Sequence, residues 1–64
     1  MTPTTRRIYR PGQLVPTSGQ YAVVNDRGHY LGREVTCVRG EHFPPTRTHV
    51  EFGYVLRDAT IHRH

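Results

Sequence analysis

Sixty-four residues, 34% of them apolar, with no tryptophan and a mean hydropathy of −0.67, describe one small domain with little to bury. A chain of that size hides only about 60% of the surface its unfolded form exposes, so its net stability falls near zero unless a metal, a disulfide, a partner or a very regular core contributes. The single cysteine, Cys37, excludes an internal disulfide, and the net charge of +4 comes from an all-arginine set of nine basic residues.

One cysteine fits a reducing compartment. The N-terminus, MTPTTRRIYRPG, has no apolar h-region and does not read as a secretory signal. No apolar run approaches the ~20 residues of a membrane-spanning helix. The expectation is a cytoplasmic protein with no membrane association. The charge is uneven. Residues 1–25 carry Arg6, Arg7 and Arg10 and no acid, whereas six arginines meet five acids from Asp26 onward. Guanidinium groups grip phosphate in bidentate fashion, so such a surface is compatible with nucleic acid. The plainer explanation of all-arginine usage is the codon bias of a GC-rich genome.

In chain order, residues 1–5 lack periodicity and read as a flexible tail; 6–64 read as one β domain. Arg6–Arg10, with Ile8 and Tyr9 among three arginines, suits a short edge strand, where charge is tolerated. Pro11-Gly12 has type II turn chemistry, with φ fixed at the second position and positive φ accepted at the third. Gln13–Val15 is extended because Pro16 drives Val15 out of the helical region. After the turn residues Pro16–Gly19, Gln20–Asn25 is a β-branched and aromatic strand.

Asn25–Gly28 is a hairpin turn. His29–Gly32 reads equally as loop or as the start of a strand, and Arg33–Val38 is the second firm strand. Arg39–Glu41 turns the chain into Phe43-Pro44-Pro45, whose prolines end any ladder. Val50–Leu56 alternates cleanly and predicts a third strand; Ala59–His62 suggests a short fourth. Helical spacing with caps is absent throughout. The fold class is therefore all-β: a small antiparallel sheet or barrel-like fold of three to five short strands. Its core is expected from Tyr9, Leu14, Tyr21, Val23, Val35, Val38, Phe43, Val50, Phe52, Tyr54 and Leu56.

Several short motifs recur in one order: Pro11-Gly12-Gln13, Ser18-Gly19-Gln20-Tyr21, Glu34-Val35-Thr36, Gly40-Glu41 and Phe43-Pro44-Pro45. In this the chain resembles small bacterial YjzC-like proteins over roughly residues 11–59. The resemblance implies a ribbon-like fold, with a Cys-x-x-Cys-Gly knuckle in many relatives before a Val-x-Phe/Tyr-x-Leu strand. Here Pro45-Thr46-Arg47-Thr48-His49 stands at the knuckle. Threonine is no zinc ligand, so the resemblance implies an ancestor's metal site lost.

The remaining ligand types are His29, Cys37, His42, His49, His62 and His64. Cys37 and His42, separated by four residues, just permit a hairpin pair that His49 could approach, and His62 and His64 would share a strand face, but the histidines are scattered over half the chain, so neither a metal nor a cofactor is expected. Cys37, mid-strand between Thr36 and Val38, reads as a small buried hydrophobe rather than a thiolate nucleophile beside His42 or His49. The acids each neighbour an arginine and read as solvated surface pairs. Two clusters combine charge with an aromatic ring able to stack on a base: Arg6, Arg7, Tyr9 and Arg10, and Arg27, Tyr30 and Arg33. The leading expectation is a non-enzymatic interaction module working with a protein partner or as a homodimer. The second is a single-stranded nucleic-acid binder through those seven residues. The third is a degenerate metal site.

Overall fold

Gly19–Val24 is buried on both of its alternating faces, a pattern suited to a strand with neighbours on either side. The computed structural model describes residues 7–59 and places that strand in the middle. β1 (Gly19–Val24), β2 (Tyr30–Cys37) and β3 (Gly53–Ala59) form one open antiparallel sheet in the order β2-β1-β3. The expected all-β class holds, with three strands in a sheet that does not close. Residues 1–5, Arg6 and the part of the suggested fourth strand beyond Ala59 lie outside the described residues.

The β1–β2 hairpin closes at its expected turn. Gly28 N–H donates to the Asn25 carbonyl at 2.9 Å. The Asn25 side-chain oxygen accepts the amides of Arg27 and His29, also at 2.9 Å, so the asparagine templates its own turn. The ambiguous stretch before Arg33 resolves as strand from Tyr30. Pro11-Gly12 forms the expected turn: Gln13 N–H reaches the Arg10 carbonyl at 3.1 Å, with Gly12 at φ 88°.

Two irregularities interrupt the sheet. Leu31, Gly32 and Arg33 stand between the residues of β2 that pair with Ala22 and Val24, opposite the single Val23. On β3, Arg57 is the extra residue between Leu56, which pairs with Tyr21, and Asp58, which pairs with Gln20. Bulges of this kind bend a strand and re-aim its side chains.

One face of the sheet carries the larger core. Val15, Tyr21, Val23, Cys37, Phe43 and Tyr54 are buried there, with Tyr9, Val35 and Leu56 packed against them. Phe43 is the central ring. It stacks on Tyr9 and on Tyr54, each at 5.2 Å between centroids, and meets Tyr21 edge-on at 4.9 Å. Such pairs contribute about 0.5–1.5 kcal/mol each beyond the area they bury.

The connection from β2 to β3 delivers Phe43 to this position. A small ribbon holds it: Gly12 and Val15 donate to the carbonyls of Phe43 and Glu41 at 2.9 and 2.7 Å, and Phe43 donates to Gln13 at 2.8 Å. Two buried phenols then fasten loops to the core. Tyr54 OH donates to the Pro44 carbonyl and Tyr21 OH to the Thr17 carbonyl, both at 2.6 Å.

Four expected core residues lie outside the core: Leu14, Val38 and Val50 are 60%, 50% and 55% exposed, and half-buried Phe52 joins neither buried cluster. Val15 rather than Leu14 points inward, because neighbours on extended backbone face opposite ways. The alternation beginning at Val50 overreaches by three residues. The chain turns there, with Glu51 N–H on the Thr48 carbonyl at 3.2 Å, and β3 begins only at Gly53.

Candidate ligand groove

The second face of the sheet carries a smaller cluster: Ala22, Val24 and Val55, with Ile8 laid against them. These four form the apolar floor of an open groove of about 580 Å³, rimmed by Arg27, Gly28, Tyr30 and Arg57. The volume falls in the usual range for small-ligand sites, roughly 300–1,000 Å³.

Each wall has a structural cause. Ile8 is delivered by the segment preceding the Pro11-Gly12 turn. Tyr9 exchanges two backbone hydrogen bonds with Tyr54, both at 2.8 Å, on the outer side of β3. That places the Tyr9 ring against the core and turns Ile8 to the opposite face. Gly53 lets the two backbones approach this closely, since a Cβ there would collide with the Tyr9 carbonyl oxygen. Arg27 sits in the hairpin turn, Tyr30 opens β2 on one side of its bulge, and Arg57 is the bulged residue of β3.

Arg57 reaches across β1. β2 and β3 flank that strand and so lie roughly 10 Å apart, yet Arg57 Nη1 meets Glu34 Oε2 at 2.8 Å. The guanidinium carbon also lies 5.1 Å from the centroid of the Tyr30 ring. Arg57 is about half exposed, with several donors beyond the one given to Glu34. Among the described residues no carboxylate forms an ion pair with Arg27.

The residues selected from sequence are thus divided. Arg27 and Tyr30 come together at the groove. Arg33 does not join them: it makes a paired contact with Glu51, through Nε at 3.1 Å and Nη2 at 2.9 Å. Tyr9 is a core ring, stacked on Phe43, and Arg7 lies 5.5 Å from its centroid. Arg10 caps Phe52, 3.8 Å above the ring, and donates to its carbonyl at 2.9 Å. Arg6 lies outside the described residues. Sequence reasoning passed over Ile8, Val55 and Arg57 as groove residues.

The Arg33–Glu51 pair bears on the fold instead. Its guanidinium bonds hold the Glu51 carboxyl well below its usual 4.5, at about 2, with the Arg47 amide at 2.8 Å assisting. The Arg33 pKa rises in response. Cys37 is buried in the main core, and burial pushes its thiol pKa up. The His42 ring nitrogen Nδ1 lies 2.7 Å from the Gly12 carbonyl. Among the described residues no three of the His, Cys, Asp and Glu side chains gather as a metal site; His62 and His64 lie outside them.

No family model, curated protein or solved structure matches this chain.

Proposed function

We propose that this chain is a non-enzymatic binding module whose working surface is the groove on the second face of its sheet. One observation carries the reading: the sheet face opposite the main core bears an open groove over a nearly covered apolar base, with the half-exposed Tyr30 and two arginines at its rim. Both irregularities of the sheet border that groove. Sheet bulges concentrate where a side chain is re-aimed for use. The reactive groups lie elsewhere; the Cys37 thiol is enclosed in the core with its pKa raised, the reverse of a poised nucleophile.

An anionic aromatic dye, anilinonaphthalene sulfonate, matches the apolar floor and basic rim. Titrated into labelled protein, it should produce saturable amide shifts at Ala22, Val24, Tyr30, Val55 and Arg57. The paired change Tyr30→Ala and Arg57→Gln should abolish them while leaving the melting temperature within a few degrees. Shifts confined to the opposite face, or none that saturate, would remove the groove as the working surface.

A further inference from the structure

We propose that the groove's ligand is single-stranded nucleic acid, one nucleotide of which lies across the groove with its base against Tyr30 and Ile8 and its phosphates on Arg27 and Arg57. The inference rests on the groove being the working surface and adds the identity of its occupant.

Three features of the groove favour this chemistry. First, the rim is complementary to an anion: among the described residues, the ionic side chains lining it are the guanidinium groups of Arg27 and Arg57, and no carboxylate lines it. Second, the groove is apolar beneath its rim: Ala22, Val24 and Val55 are nearly covered and form its base, and half-buried Ile8 is the side chain there that keeps apolar surface open to a planar ring. Third, Tyr30 stands at its edge, 51% exposed, with the Arg57 guanidinium against its ring. Bases stack on aromatic rings and on guanidinium planes alike, and single strands are bound by combining such platforms with backbone charge contacts. An acidic peptide would meet the same arginines but brings no ring to this platform. Arg57 can serve both neighbours at once. Glu34 takes Nη1 and fixes the orientation, and the remaining donors of the five-donor fork stay available for a phosphate.

Two cationic contacts set the expected salt response. Neutralising two phosphates of a single strand gives a slope of log affinity against log salt of about −1.4. Removing either arginine should lower the magnitude of that slope by roughly one contact. Loss of the ring should weaken binding about tenfold or more.

The test uses the full 64-residue chain and a fluorescein-labelled ten-nucleotide oligothymidylate, read by anisotropy from low to moderate salt. Support is retention at low salt, a tenfold or greater loss in Tyr30→Ala, a shallower salt slope in Arg27→Gln and in Arg57→Gln, and no change in Arg39→Gln on the exposed turn after β2. Tyr30→Leu, which keeps apolar bulk and lacks the π-face, guards against a folding defect and should lose binding as Tyr30→Ala does. Three results overturn the proposal: no retention at low salt; equal losses in Arg39→Gln and Arg27→Gln with Tyr30→Ala unaffected, which is diffuse charge attraction; or displacement by polyglutamate as effective as by unlabelled oligonucleotide, which makes the occupant an acidic peptide. Saturable dye binding with no oligonucleotide binding leaves the groove as working surface and removes only this occupant.

Discussion

Glu51 ties the fold's stability to acid pH through its pairing with Arg33. Its carboxyl is held at about 2 against an ordinary 4.5, first by the Arg33 guanidinium and then by the Arg47 amide. A carboxyl whose folded pKa is depressed adds stability that is fully present above the unfolded value and is lost as pH falls through the folded one. The window here runs from about 4.5 down to about 2. The melting temperature of the protein should therefore fall across that window. In Glu51→Gln it should start lower at neutral pH and show a flatter acid limb. Equal acid slopes in the two proteins would mean that the pair does not form in solution. Arg33 belongs to the same account, because a guanidinium held by two bonds to one carboxylate is a fastening of the fold and not a spare charge.

At the level of elements, the segment carrying Ile8 and Tyr9 matters more than its single bridge suggests. It covers the Tyr54 end of β3, contributes a ring to one face and a groove wall to the other, and depends on the absence of a side chain at Gly53. Gly53→Ala should cost about 1–3 kcal/mol, because the obstacle is backbone and cannot rotate away. Urea unfolding should show a lower midpoint with an unchanged slope, and dye binding at the groove should weaken as Ile8 is displaced. The same segment shows what could be read from sequence. Local chemistry was legible: the Pro11-Gly12 turn, the Asn25–Gly28 hairpin and the strand after Gly19 rest on neighbouring residues and appear where composition places them. Parity across distant strands was not. Tyr9 reads from sequence both as a core ring and as a base-stacking ring, and only its pairing with Tyr54 places it against the core while Tyr30 stays at the surface. Val50 and Phe52 extend the alternation of β3 in sequence, yet Val50 sits in the turn at Thr48–Glu51, and Phe52, whose N–H donates to the Val24 carbonyl at 2.8 Å, stands just ahead of the strand. Arg57 joins Arg27 and Tyr30 through a bulge, and a bulge leaves no periodic trace.

For the whole molecule, the outer edge of β2 raises the question of self-pairing, since β2 pairs only with β1 among the described residues. A two-fold axis normal to the sheet pairs residues of equal parity. The two central registers therefore set Arg33 against Arg33, or Glu34 against Glu34, of the second copy. Like charges directly opposite are destabilising, and the bulge around Gly32 bends the same edge. Two copies meeting through their grooves would likewise bring four rim arginines together. Such devices discourage edge-to-edge association. Sedimentation should accordingly give a mass near 7.4 kDa that does not rise with concentration at micromolar levels; a mass of twice that value would restore the dimer as the functional unit.

The two fastening phenols have a spectroscopic consequence. With four tyrosines and no tryptophan, the near-ultraviolet absorption of this chain is largely phenolic. Burial lifts the ionisation of Tyr21 and Tyr54 above the ordinary 10.0. A raised acid pKa adds stability below the unfolded value and forfeits it as pH climbs through the folded one. Either phenolate loses the proton it donates to Thr17 or Pro44. In an alkaline titration, the last red-shifted tyrosinate to appear should mark the moment the proline loops let go of the sheet, so that colour and collapse are a single event.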